Sequence, residues 1–137
     1  MALLYKVLAD LVVTSHVAYV AFVVLGIVAI WYGIIQKREW ARSRALRYTH
    51  LAMILIVVVE AWIGMTCPLT IWEQWLRTRA GQAAYQGDFI ANWLHEMLFF
   101  EASPWVFTVA YTAFGLLVLA TFLVAPPRPR RKVPPAV

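Results

Sequence analysis

Two ionisable side chains interrupt the long apolar stretches of this 137-residue chain. His16 precedes the apolar run from Val17 to Ile30, and Glu60 follows nine apolar residues from Leu51 to Val59. An ionisable group inside an apolar helix is costly, so it commonly pairs with another polar group or marks a functional site. If the two helices run antiparallel, both residues lie at one depth. We therefore expect Glu60 to be buried and to face His16.

More residues of the same chemical types follow later in the chain. His95 and Glu96 lie in a predicted amphipathic helix from Phe89 to Ala102, with Asn92 one turn earlier and Glu101 at its end. If this helix dips toward the first two candidates, we expect a cluster of two histidines and two or three carboxylates.

Three interpretations of this cluster stay open. The residues could form a structural pair that fixes helix register, since buried polar groups in membranes commonly pair with each other. They could hold haem or a transition metal, because imidazole and carboxylate suit iron, zinc and manganese, although no His-x-x-x-His or Glu-x-x-His spacing is present. They could also handle protons or a small ligand.

Two secondary candidates are Cys67 and His50. Cys67 lies directly before Pro68 with no basic residue near it in sequence. A reactive thiol needs an electropositive setting, so this pattern favours packing over catalysis. His50 lies beside Arg47 and Tyr48, and we expect it at the membrane interface.

The amino-acid composition indicates which class of structure positions these residues. Hydrophobic residues make up 63% and charged residues 14%, against about a quarter charged in a soluble domain. A soluble protein this apolar would expose large aggregating patches. The sequence therefore predicts an all-α integral membrane helical bundle, and it shows no nucleophile–base pair or phosphate loop of a conventional soluble enzyme.

Three segments are long enough to cross a bilayer, which takes about 20 helical residues. We expect one transmembrane domain over residues 1–125 and a basic, proline-rich cytoplasmic tail over 126–137. The predicted spans cover about 5–35, 46–66 and 104–125, and residues 69–102 form a helical outer cap or a re-entrant hairpin. Segment 89–102 is too short for a full crossing. Thr70 and Glu73 match the capping-box pattern at the start of a short helix on the membrane surface.

Nine of the twelve Lys and Arg residues lie in two clusters that directly follow apolar stretches. Such positions set orientation and contact anionic lipid head groups, which makes the bilayer the expected partner in place of nucleic acid. The expected head-group contacts are Lys37, Arg38, Arg42, Arg44, Arg47, Arg128, Arg130, Arg131 and Lys132. These charges predict an inner-membrane protein with its N-terminus outside and its C-terminus in the cytoplasm. A membrane-protein partner or a homo-oligomer is compatible with this topology, and so is an accessory role in a complex.

The run Cys-Pro-Leu-Thr-Ile-Trp-Glu at 67–73, with Gly-Asp-Phe-Ile at 87–90 and Trp-Leu-His at 93–95, resembles a known family. It is similar to small bacterial inner-membrane proteins catalogued as a domain of unknown function. The resemblance extends from about Tyr5 to Phe122 and includes His16. It implies a bacterial multi-span protein, and it assigns no activity or catalytic residue.

Overall fold

The computed structural model describes residues 1–83, 92–93, 95–96 and 103–128. Its elements are α1 (Ala2–Ile35), a 3₁₀ turn (Glu39–Arg42), α2 (Arg44–Trp62), α3 (Pro68–Arg79) and α4 (Pro104–Val124). Helices α1, α2 and α4 are each long and apolar enough to cross a membrane. The predicted all-α fold with three spanning helices is therefore confirmed. The question of whether 89–102 crosses falls mostly on residues outside the described ones, and so does most of the 126–137 tail.

The second spanning helix ends earlier than predicted, because the chain turns at Gly64. This residue has a φ of 68°, which suits glycine because it has no Cβ. The amide of Gly64 donates to the Ala61 carbonyl at 3.3 Å, and the amide of Met65 donates to the Glu60 carbonyl at 2.9 Å. These bonds are those of a Schellman cap, and Pro68 then starts the next helix. A Cβ on Gly64 would meet nothing within 4 Å, so this glycine serves the turn and not a close helix contact.

Helix α3 does not lie across the end of the bundle. It packs along the first half of α1, with the Trp75 ring edge-on to the Tyr5 ring at 6.2 Å between centroids. Thr70 and Glu73 are 0% and 2% exposed on this face, and no side-chain hydrogen bond caps the helix. The predicted capping box is therefore wrong, since both side chains point into the α1/α3 interface.

The lengths of the helices explain this arrangement. At 1.5 Å per residue, α1 is about 51 Å long, whereas α2 and α3 are about 29 Å and about 18 Å long. Helix α2 lies beside the second half of α1, and α3 lies beside the first half. The break between them lets two short helices match one long helix.

A small apolar core joins α1, α2 and α4. It consists of Val23, Ile27, Ile54 and Val118. The core separates two polar regions, which we call the cap end, where α3 and the helix break lie, and the basic end, where the 3₁₀ turn lies. On α2 the buried residues are Arg47, His50 and Ile54.

Helical spacing predicts that the packed face of α2 runs through Met53, Ile56, Val57, Glu60, Gly64 and Cys67, and this prediction is only partly right. Met53, Val57, Glu60 and Cys67 are half-buried, but Ile56 is 52% exposed and Gly64 is exposed. The helix ends before Gly64, so the face does not continue along one axis to that residue.

Candidate functional site

The strongest concentration of charge at the cap end is centred on Arg77 of α3. Its Nε donates to Glu73 Oε1 at 2.7 Å, and its Nη2 lies 3.7 Å from Asp10 Oδ1 on α1. Its Nη1 also donates to Gln82 Oε1 at 3.3 Å. Glu73 is 2% exposed, and a buried carboxylate is stable only when charges and hydrogen bonds compensate its lost hydration. Arg77 supplies that compensation.

His16 belongs to the same cluster. Its side chain is buried, and the Glu73 carboxylate lies within electrostatic range of its imidazole. We call Asp10, His16, Glu73 and Arg77 the α1/α3 cluster. The Asp10 carboxylate of this cluster is half-exposed at the protein surface, whereas the His16 imidazole is buried.

Helical spacing explains why these side chains meet. Thr70, Glu73 and Leu76 recur at three-residue steps, so they share one face of α3, and Arg77 lies one turn after Glu73. The facing residue Ala9 on α1 is 0% exposed. Its small side chain lets α3 approach α1 closely enough for the ion pairs to form.

A second group of polar side chains surrounds the helix break. Glu60 is half-buried, and its carboxylate lies within electrostatic range of the Tyr19 phenol and within hydrogen-bonding reach of the Cys67 thiol. Tyr19 donates its proton to the Met53 carbonyl at 2.6 Å. We call Tyr19, Glu60 and Cys67 the Glu60 group.

The chemistry of Cys67 follows from its surroundings. Burial raises the pKa of its thiol, and the negative charge of Glu60 adds to that rise. The backbone amides of Leu69 and Thr70 act in the opposite direction and do not outweigh it. Cys67 is therefore a neutral thiol at neutral pH, and its role as a packing residue stays a prediction.

The expectation that Glu60 is buried was wrong, since Glu60 is half-buried. The pairing of Glu60 with His16 stays a prediction. The described contacts place Glu73 beside His16, and Tyr19 and Cys67 beside Glu60.

Two of the later candidates are exposed at the protein surface. His95 and Glu96 are both exposed, so neither adds a buried ligand to the α1/α3 cluster. The Asn92 amide donates to Glu96 Oε1 at 3.1 Å. Glu101 lies outside the described residues.

At the basic end, the expected interface positions of Arg47 and His50 were wrong. Arg47 is 1% exposed and His50 is 0% exposed. Arg47 Nη2 donates to Thr121 Oγ1 at 2.8 Å, its Nη1 donates to the Ala41 carbonyl at 3.4 Å, and its guanidinium lies 4.5 Å from the Phe122 ring centroid. Arg47 is thus a packed residue of the bundle and not a lipid head-group contact.

His50 is held just as firmly. Its Nε2 lies 2.7 Å from the Val23 carbonyl, so Nε2 carries the proton, since a carbonyl can only accept. A Cβ added at Gly26 would lie 2.7 Å from the ring carbon Cδ2. We call Arg47, His50 and Thr121 the Arg47 layer.

The other cations of the basic end lie at its surface. Lys37, Arg38 and Arg44 are exposed. Arg42 donates to the Pro126 carbonyl at 3.0 Å, and Arg128 pairs with Glu39 at 2.8 Å. Arg130, Arg131 and Lys132 lie outside the described residues.

In the described part of the chain, the predicted ligands do not assemble into a metal centre. Among the residues that the structure describes, no three His, Cys, Asp or Glu side chains stand together as a set able to hold a metal ion. One open groove of about 530 Å³ lies between α1 and α3, and another of about 300 Å³ lies near the 3₁₀ turn. Both have apolar walls, and neither is lined by His16 or Glu60.

Sequence reasoning missed the roles of Glu73 and Arg77. Their i, i+4 spacing is a common surface pair, and the capping-box pattern gave Glu73 another role. The signal that could have found them is the α3 pattern itself, because Glu73 falls on the same helical face as the apolar Leu76.

Comparisons with known proteins add a family and no activity. A family model described as a protein of unknown function (DUF2784) matches residues 6–127. No curated protein and no solved structure matches the chain.

Proposed function

We propose that this chain, which belongs to DUF2784, a family of unknown function, is a non-catalytic accessory protein of a membrane complex. The observation that carries this proposal is that the charged side chains of the α1/α3 cluster pair with one another. The Arg77 guanidinium forms ion pairs with Asp10 and Glu73 and donates a hydrogen bond to Gln82. Such a cluster fastens α3 to α1.

The exposed surfaces support the same function. Only about a fifth of the residues in the most apolar window of each spanning helix are buried within the chain (22%, 22% and 17%). The fastened α3 in turn displays Trp72 and Trp75, which are 61% and 51% exposed. Aromatic side chains of this kind anchor helices at a membrane interface and are enriched in protein contacts. The chain is built to present helices to lipid and to a neighbouring membrane protein.

Site-specific photo-crosslinking in native membranes tests this function. We expect a photoreactive residue at Trp72 to give one discrete heteromeric product, and the product to weaken when Arg77→Met releases α3. The same probe at Leu123, which is 87% exposed at the opposite end, is the matched control and should not respond to Arg77→Met. Free monomer at every probed position would overturn the proposal.

A second candidate function is handling of a proton or a small polar ligand by the Glu60 group. The observation that favours it is that Glu60 is half-buried at a helix break, where a carboxylate can meet both solvent and protein. Glu60→Gln keeps the shape and removes the charge. Loss of the cellular function with unchanged stability would favour this candidate over the accessory role.

Optical spectra and metal analysis of the purified protein test for metal or haem ligation. The sequence suggested such ligation, but among the described residues no three His, Cys, Asp or Glu side chains stand together to hold a metal ion. A Soret band or a stoichiometric metal content would overturn the accessory proposal.

Orientation is part of the proposed function. We place the basic end in the cytoplasm, because positive charges beside spanning segments are retained on that side. In a Cys67→Ser background, Arg38→Cys should resist an impermeant thiol reagent applied to cells of a bacterial host, and Ala83→Cys should react. The reverse pattern would invert the topology.

A further inference from the structure

The groove of about 300 Å³ lies on the outer surface near the basic end. Ala21, Leu25 and Ala29 of α1 form one wall, and Trp40 and Leu46 form the other. Its walls are almost entirely apolar. The groove therefore suits a hydrocarbon and offers no hydrogen bonds to a polar ligand.

The width of the groove limits what can occupy it. From residue 21 to residue 29, α1 rises about 12 Å. A volume of about 300 Å³ over that length gives a mean cross-section of about 25 Å². A helix is 10–12 Å across and needs roughly three to four times that area. The groove therefore cannot enclose a helix of a partner protein, whereas it can hold a single extended chain.

The end of the groove is built to a fixed shape. The Trp40 ring lies against α1 at Gly33, where an added Cβ would be 3.0 Å from Trp40 Cζ2 and 2.5 Å from the Ala41 side chain. Gly33 thus makes room for the 3₁₀ turn to pack on α1. Trp40 therefore lines the groove, and it lies within four residues in sequence of Lys37, Arg38 and Arg44.

The loop over residues 36–44, which connects α1 to α2, carries unneutralised positive charge. Lys37, Arg38 and Arg44 are exposed, and within the described part of the chain they make no ion pair. Glu39 is the one carboxylate among the described residues of the loop, and Arg128 already pairs with it at 2.8 Å. The three cations are close in sequence to Trp40 and Leu46 of the groove, so an anionic group bound beside the groove has cations available to it.

We infer that the basic end holds one anionic phospholipid, with an acyl chain in the groove and its phosphate among Lys37, Arg38 and Arg44. Cationic clusters beside a membrane surface attract anionic head groups. The apolar groove adds a fixed position that a general electrostatic attraction lacks. This site is distinct from the polar clusters at the cap end.

Native mass spectrometry of the whole protein tests this inference. The probe is an equimolar mixture of phosphatidylglycerol and phosphatidylcholine with identical chains in mixed micelles. We expect the protein to retain one phosphatidylglycerol in preference. Each cation is worth about fivefold in affinity, so Lys37→Gln, Arg38→Gln and Arg44→Gln combined should reduce the preference about a hundredfold. Lys6→Gln removes one cation at the other end of α1, and as the control for position it should keep the preference.

A second variant tests the groove itself. Ala29→Phe fills the groove and should abolish retention of both lipids, whereas Val28→Phe, on a neighbouring exposed position outside the groove, should behave as the parent. Circular dichroism verifies folding, and if Ala29→Phe fails to fold, the surface charge variants decide.

Three results would overturn the inference. The first is equal retention of the two lipids by the parent, and the second is equal retention by Ala29→Phe and Val28→Phe. The third is a parent dimer that Ala29→Phe converts to monomer, because the groove would then hold a second copy of the chain.

Discussion

The α1/α3 cluster and the Arg47 layer each contain an arginine, half-buried in the first and fully buried in the second, and the two arginines have different partners. Arg77 is held by carboxylates, with Glu73 Oε1 at 2.7 Å and Asp10 Oδ1 at 3.7 Å. Arg47 is held by the Thr121 hydroxyl, the Ala41 carbonyl and the Phe122 ring, and it has no carboxylate partner in the part of the chain that the structure describes.

The difference separates two kinds of polar packing. Removing one member of an ion pair leaves the other charge buried and uncompensated, which costs several kcal/mol. Removing a cation that is held by neutral groups leaves no such charge. The cap end should therefore depend on its charges, whereas the basic end should depend on its shape.

The largest effect is expected from Arg77→Met, because it leaves the buried Glu73 without its cation. We expect the free energy of unfolding to fall by about 3 kcal/mol. The measurement is SDS-induced unfolding in mixed micelles, followed by circular dichroism. The matched control is Arg79→Met, because the Arg79 guanidinium lies over the exposed Trp75 ring and its loss should cost less than about 1 kcal/mol. Equal losses of stability from Arg77→Met and Arg79→Met would contradict the conclusion that the cap end depends on its charges.

The next effect is expected from Gly26→Ala at the basic end. The added Cβ would lie 2.7 Å from the His50 ring, whose Nε2 is fixed on the Val23 carbonyl. Overpacking of this kind costs about 2 kcal/mol.

Gly115→Ala is the control for this change. Its Cβ would meet Val58 Cγ2 at 3.3 Å, and both variants gain the same helix propensity. If the two variants were equally stable, the His50 ring would not be held as tightly as its contacts indicate.

A smaller effect is expected from Arg47→Met in the same assay, at about 1 kcal/mol or less. Methionine retains much of the apolar volume, and the Thr121 hydroxyl still donates to the Val118 carbonyl at 2.6 Å. Arg47→Ala should cost more, because it also empties the space beside Phe122. A loss from Arg47→Met as large as that from Arg77→Met would show that the Arg47 layer also depends on charge.

The smallest effect concerns the pH dependence of Cys67. Its pKa is raised chiefly by burial, so the thiolate that reacts with iodoacetamide should form only at a pH above the ordinary range. The stability that the neutral thiol contributes is present below the ordinary thiol pKa and is lost as the pH rises through the raised pKa.

The measurement is the alkylation rate as a function of pH, with Ala83→Cys in a Cys67→Ser background as the exposed comparison. The midpoint of the profile is independent of accessibility, which affects only the plateau. Coincident midpoints would contradict burial as the cause.

The sequence by itself determined the class of the protein. Its apolar runs are long enough to span a bilayer, and hydropathy is a local property that needs no knowledge of contacts. The helix break was also predicted near its true place, because Gly64 and Pro68 act on the backbone within a few residues of themselves.

Only the tertiary structure decided which polar residues meet. His16 was singled out and is buried beside Glu73, but Glu73 and Arg77 were not singled out, because their contacts depend on α3 lying along α1. Arg47 and His50 were expected at the interface, since position along a helix does not say which face a neighbour covers. A side chain becomes buried through residues distant in sequence, such as Thr121 for Arg47, and one sequence carries no signal of that pairing.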